Sequence, residues 1–235
     1  MAYSRRDAPN CDWCPYKKNC FYELLGTKES KKAWRDIRLA HPFKRGEVIF
    51  HEGSMPQGVY VVCTGKVKVY KSSRTGQQLT TRVESPGDLL GHVTLLSDEG
   101  AYTATGEALE PSIVSMIDKT TFYNFLAKYP PASHALLKEL AKDVRRGENK
   151  ARDIAFKPAR GRLADTLIRM MVVKKPYPIV AGIKRRDLAE MAGLTIETTV
   201  RLLKDFEERD VLRKKEKDLL ILSEERLRAL SGSAS

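Results

Sequence analysis

The sequence predicts an α+β chain: an antiparallel β-roll, then one long helix, then a set of shorter helices closed by a β-hairpin. Three observations carry this. Short β-branched or aromatic runs recur between turn signals from about residue 41 to 120. The apolar period then lengthens to alternating threes and fours. Last come short amphipathic segments with capping residues at their ends.

The strand runs are Val48–Phe50, Gly58–Val62, Lys66–Tyr70, Leu79–Val83 and Ser112–Ile117, separated by Glu52-Gly53, Thr64-Gly65, Thr75-Gly76 and Pro86-Gly87. Strands so closely spaced, joined by tight turns, fold into a small barrel or roll. From 131 to 156, Leu137, Leu140, Val144, Gly147, Ala151 and Ile154 form a heptad seam with charged flanks. A strict 3.5-residue repeat suits a partner helix, so a homodimer is expected; packing against the chain's own roll is the alternative. Gly147 leaves a gap in the seam, and Arg145, Arg146 and Lys150 would face like charges across a parallel pair. Lys157–Gly161 reads as a hinge. Beyond it, helices are expected over Arg162–Val173, Arg185–Ala192 and Ile196–Arg209, then a two-stranded wing from Val211–Arg213 and Leu219–Leu222. The implied organisation is a cysteine-bearing segment (1–30), the roll (31–130), the dimerisation helix (131–157) and a C-terminal domain of short helices and wing (158–235).

Lys and Arg number 42 against 30 Asp and Glu, a net charge of +12 that favours an anionic partner such as nucleic acid. No apolar run is long enough to span a membrane, and the N-terminus lacks the apolar segment of a secretory signal, so a cytoplasmic protein with no membrane partner is expected. No Ser-His-acid set or phosphate loop occurs, and His41, His51, His92 and His134 are scattered. No enzyme is read here.

Lys184–Leu203 has the form of a helix-turn-helix. Gly193 ends one short helix and Thr195 can cap the next, whose N-terminal end would enter the major groove of double-stranded DNA. Leu188, Met191, Ala192, Leu194, Val200, Leu203 and Phe206 are candidates for its internal packing. Glu197 and Arg201, four residues apart, share a face. The run Leu194-Thr195-Ile196-Glu197-Thr198-Thr199-Val200-Arg201-Leu202-Leu203 closely resembles the recognition helix of the Crp/Fnr transcription regulators. The resemblance extends through Gly46–Phe50, Glu52-Gly53, Gly65 and Gly87–Gly91 to nearly the whole chain. It implies a cyclic-nucleotide-binding-like jelly roll, a winged helix-turn-helix, a palindromic operator and RNA polymerase as partner. It assigns base reading to Glu197 and Arg201, with Thr195, Thr198, Val200 and Arg185 beside them; Arg can donate twice to guanine and Glu can accept from cytosine. Val200 departs from the Ser or Gly usual in the family.

Family members that bind cyclic nucleotides grip the ribose with a Gly-Glu turn and the phosphate with an Arg-Ser pair. Here those places read Gly91-His92 and Tyr102-Thr103-Ala104, so no cyclic nucleotide is expected. Three of the four cysteines instead form Cys11-x2-Cys14-x5-Cys20, which reads as a metal or redox site in a reducing compartment. Ahead of a β-roll it resembles the Fnr oxygen sensors, whose three N-terminal cysteines and one internal cysteine hold a [4Fe-4S] cluster. The resemblance implies the same cluster here, moderated by Arg5, Arg6, Lys17 and Lys18. Ser115 stands at the place of the internal cysteine, leaving Cys63 as fourth ligand or as a small buried hydrophobe; Asp118 or His92 could take its place. Zinc is the alternative metal, and a thiol/disulfide switch the third reading.

Overall fold

The structure is a computed structural model that describes residues 3–4, 8–97 and 99–232. Two 3-10 turns (Lys17–Asn19 and Phe21–Leu25) and helix α1 (Lys28–Ile37) lead into the strands β1 (Leu39–Phe43), β2 (Val48–Phe50), β3 (Gly58–Thr64), β4 (Val67–Ser72), β5 (Gln78–Glu84) and β6 (Leu89–Leu90). Helix α2 (His92–Ser97) interrupts them before β7 (Thr105–Ala108) and β8 (Ser112–Asp118); α3 (Lys119–Lys128) and the long α4 (Pro130–Phe156) follow. The strands make two four-stranded sheets, ordered β1-β8-β3-β6 and β2-β7-β4-β5.

The expected runs lie in strands except for Lys66, which precedes β4, and β1, β6 and β7 were not foreseen. Each of those three is short or carries few β-branched residues, so propensity alone gives little signal. Strand β3 explains why its sequence is apolar throughout rather than alternating. One face, with Tyr60 and Val62, joins Phe50, Val67, Val69, Tyr102 and Val114 between the sheets. The other, with Val59 and Val61, packs under Phe21, Trp34, Ile117, Phe122 and Phe125. Trp34 is fully buried, its ring centroid 5.0 Å from Phe21 and 5.2 Å from Phe125. The N-terminal segment thus supplies part of this core.

The chain divides into two compact units. One holds residues up to Gly76 together with Thr81–Gly147; the other holds Gln77–Thr80 and the chain from Glu148 onward. In the second unit, α5 (Ala159–Met170), β9 (Ile179–Val180), α6 (Arg185–Ala192), α7 (Ile196–Glu208), β10 (Leu212–Lys215), β11 (Asp218–Ile221) and α8 (Glu224–Ser231) follow one another. Three expectations are corrected here. Helix α5 begins at Ala159, because Pro158 presets the backbone for a helix start and shrinks the hinge to two residues. Gly161 is therefore helical: a Cβ there would lie 3.3 Å from the Leu230 carbonyl, so it serves close packing rather than bending. Helix α5 also stops at Met170, because Val172 exchanges backbone hydrogen bonds with Ile179. The wing is three-stranded, since β11 pairs with β9 as well as β10.

Among the described residues no helix is long and apolar enough to cross a membrane. On α4, Ala132, Ala135 and Leu136 are buried, while the seam faces outward: Leu137 is 63% exposed, Val144 62% and Ile154 39%. Leu137 and Val144 are therefore not packed on the roll. Arg146 and Lys150, two of the flanking cations, have partners within the chain. Arg146 turns to Glu84 (3.2 Å), Asp143 (3.5 Å) and Asp88 (3.6 Å), and Lys150 donates to the Met191 carbonyl. A Cβ at Gly147 would meet nothing within 4 Å. Gly147→Ala is expected to stabilise the protein by about 1 kcal/mol through helix propensity, read as a raised melting temperature with unchanged circular dichroism. An unchanged or lowered melting temperature would show that the glycine is needed for a close approach.

Candidate functional site

The three N-terminal cysteines are brought together by the period of their own backbone. Cys14 N–H donates to the Cys11 carbonyl, Lys17 to Cys14, Cys20 to Lys17 and Glu23 to Cys20, at 3.4, 3.1, 3.1 and 2.9 Å. Side chains three apart eclipse in such turns, so Cys11, Cys14, Lys17 and Cys20 share one face. The turns are pinned at two places. Asp12 accepts from the Tyr22 hydroxyl at 2.6 Å and pairs with Arg35. Phe21 N–H donates to the Gly87 carbonyl at 3.3 Å. Gly87 has φ +104°, and a Cβ on it would lie 2.7 Å from Cys20 Cα, so any larger residue would push the turns off the roll.

Cys63 comes from the opposite side. Strand β3 pairs Val61 with Ser115 and Val62 with Val114, then Thr64 with Ile113, so Cys63 is the extra residue of a β-bulge. It lies two residues beyond Val61 on the face under the cysteine turns. Its Sγ is 3.0 Å from Ser115 Oγ. A thiol at 63 thus reaches almost the place of a side chain at 115, from the neighbouring strand.

All four cysteines line one recess of about 340 Å³, part of it open to solvent, together with Lys17, Tyr22 and Arg38. Among the described residues no three potential ligands already stand at metal-binding distance. Burial pushes the Cys11 thiol up and raises Cys20 to about 12, so both are protonated and neutral at pH 7. A metal would have to displace those protons, since coordinating thiols are deprotonated outright. Of the residues proposed from sequence to moderate the charge, Lys17 lines the recess, Lys18 is exposed, and Arg5 and Arg6 lie outside the described residues. The fallback ligands are elsewhere. Asp118 caps α3 through Thr121 N–H at 2.9 Å, and His92 faces Asp143 at 3.1 Å. Arg38, which sequence reasoning passed over, is only 3% exposed.

In the second unit, Thr195 caps α7 by accepting from Thr198 N–H at 3.1 Å, and Gly193 closes α6 with φ +62°. Ile196, Glu197, Val200 and Arg201 form an exposed face, with Thr195 at its N-terminal edge and Thr198 half-buried. Val200 does not pack inside; it is 49% exposed, and the fully buried Thr199 takes that place. Helix geometry explains this correction, because 199, 203 and 206 follow the i, i+4, i+7 stripe whereas 200 falls beside 197 and 201. Arg185 is half-buried within electrostatic reach of Glu207. The wing strand exposes Arg213, Lys214 and Lys215, cations that the sequence reading treated only as structure.

Residues 40–129 match the family described as "Cyclic nucleotide-binding domain", and residues 161–230 match "Crp-like helix-turn-helix domain". The chain belongs to the Crp/Fnr family of transcription regulators. Its members regulate transcription and are not enzymes, and this one is a DNA-binding regulator of that type. It is 29% identical to the cyclic AMP receptor protein of Thermus thermophilus over 73% of this chain and 78% of that one. It is 24% identical to the fumarate and nitrate reduction regulatory protein of Vibrio cholerae over 96% and 91%. The structure of FixK2 from Bradyrhizobium japonicum shares the fold, with a TM-score of 0.72 at 23% identity over 85% of this chain and all of that one.

Within this Crp/Fnr regulator, Arg162 fixes the end of α6. Its guanidinium donates to the carbonyls of Ala192 (3.0 Å), Gly193 (3.2 Å), Lys157 (2.9 Å) and Ile154 (3.3 Å). A cation at the C-terminal ends of α4 and α6 also complements both helix dipoles. Arg162→Ala is expected to destabilise the DNA-binding unit by about 1–3 kcal/mol, the effect of stranding such carbonyls. Arg201→Ala, on an exposed face, should stay within about 0.5 kcal/mol. Urea titration of both variants checks this; equal stability of the two would remove Arg162 from that role.

Proposed function

We propose that this regulator is gated by oxygen or redox state through a [4Fe-4S] cluster held by Cys11, Cys14, Cys20 and Cys63. The observation that carries the reading is the shared recess, into which backbone turns present three thiols and a β-bulge presents the fourth. When bound, the cluster would supply an oxygen-labile tie between the N-terminal turns and β3. The protein's own part is to converge the four sulfurs, exclude water around them and hold the turns to the sheet at Gly87.

A cyclic nucleotide has less support as the signal, although a relative is named for one. Between the sheets, Phe50 and Tyr102 lie with ring centroids 4.4 Å apart, and the Tyr102 hydroxyl donates to the Gly58 carbonyl at 2.9 Å. Tyr102, in the region where the phosphate arginine would be, fills space and supplies no guanidinium.

The outward seam of α4 supports a homodimer, with the exposed face of α7 from each subunit reading half of a two-fold operator. Glu197 and Arg201 read bases, the wing cations meet phosphates, and RNA polymerase is the partner on the promoter.

Anaerobically purified protein should be brown, with about four irons and matching acid-labile sulfide per subunit. Cys14→Ser and Cys63→Ser should each abolish the absorbance. Stoichiometric zinc without sulfide would replace this reading with a structural metal, a Cys11–Cys20 loop disulfide would replace it with a thiol switch, and an unchanged spectrum in Cys63→Ser would return that residue to the core.

For DNA, half-sites containing TGA or a close relative, with centres about one helical turn apart, are expected. Arg201→Ala should cost about 1–3 kcal/mol at the matching G·C pair and relax specificity there. Equal weakening on random DNA in a competition binding assay would reduce Arg201 to a phosphate contact.

A further inference from the structure

Arg38, between α1 and β1, points its guanidinium into the cysteine recess while only 3% exposed. A guanidinium carries five N–H donors and a permanent charge. Here Nη1 reaches Ser115 Oγ at 3.4 Å and Cys63 Sγ at 3.7 Å, Nη2 reaches the Pro9 carbonyl at 3.3 Å, and Nε has no hydrogen-bond partner. These oxygen contacts are longer than ordinary N–H···O bonds, and no carboxylate among the described residues pairs with the side chain. Buried arginines are almost always paired, because an uncompensated charge in a low-dielectric site is strongly unfavourable.

Resting on the cluster reading above, we infer that Arg38 is the built-in counter-ion of an anionic, thiolate-ligated group in this recess, and that its charge sets how readily that group accepts an electron. Ligation by sulfur requires thiolates and so brings the negative charge that the guanidinium lacks. A disulfide between two of the cysteines is neutral and would leave Arg38 as unpaired as before, which disfavours the thiol-switch reading. Nη1 lies against both Cys63 and Ser115, so the charge sits beside the fourth ligand rather than at the solvent mouth.

The test uses full-length protein purified anaerobically as wild type, Arg38→Gln and Arg38→Lys. Cluster midpoint potential is measured by dye-mediated titration, with iron, acid-labile sulfide and thermal melting of the cluster-free form alongside. Removing a nearby positive charge disfavours the reduced state, so Arg38→Gln should shift the reduction equilibrium about tenfold toward the oxidised form, 59 mV for a one-electron couple. Arg38→Lys, which keeps the charge but not the fork, should restore the wild-type potential. Melting of the cluster-free forms should not follow the potentials, as it would if Arg38 merely held Pro9 and Ser115 in place. A loaded Arg38→Gln variant with the wild-type potential would overturn this inference alone; wild-type protein without sulfide would overturn the cluster reading first. If Arg38→Gln fails to load, Arg38→Lys still decides, since a potential displaced from wild type would show that geometry and not charge is what matters.

Discussion

The outer face of the β1-β8-β3-β6 sheet must be covered, and the rest of the first unit depends on how that is done. Strand β3 is apolar on both sides, so the roll alone would leave Val59 and Val61 in water. Phe21, Trp34, Phe122 and Phe125 cover them, drawn from the N-terminal turns, α1 and α3. Burial of large aromatic side chains is among the strongest favourable terms available to a domain this small. Once Phe21 is seated, the chain before it has little freedom, and the three-residue period of the turns then orients Cys11, Cys14 and Cys20 without further specification. The cysteine recess is a by-product of how a hydrophobic face is closed.

The second unit relies on a different constraint, the satisfaction of helix ends. The carbonyls of Ala192 and Gly193 have no intrahelical partners, and Arg162 takes them. Thr195 takes the orphan N–H of Thr198 three residues on. Between these caps lies the sharp change of direction that presents Glu197, Val200 and Arg201 on an open face. Electrostatics and hydrogen bonding, more than apolar area, fix that turn.

The sequence made much of this legible, for identifiable reasons. Heptad spacing and capping residues are local signals, and α4, α6 and α7 lie close to where they predict. The longer strands of the roll were visible because turns bracket β-branched runs. Strands β1 and β6 were not, since one contains His41 and Pro42 and the other is two residues long. The second-unit hinge was misjudged because glycine at 161 looks like flexibility when it is close packing against α8. Arg38 had no signature at all. Its significance comes from what surrounds it in space, and the bulge that delivers Cys63 depends on a register that no single strand encodes.

Alternation along β3 separates two jobs that one strand performs. Tyr60 and Val62 close the space between the sheets, while Val61 and Cys63 face the N-terminal turns. Residues of one parity can therefore change with little effect on those of the other. A scaffold built this way can exchange the signal it responds to by altering every second residue of a strand, leaving the interior packing intact. It can also shift a sulfur from one strand to the next, as from 115 to 63, without moving the place where that sulfur arrives. Such separability is a physical reason why one architecture could diversify its inputs while keeping a single output.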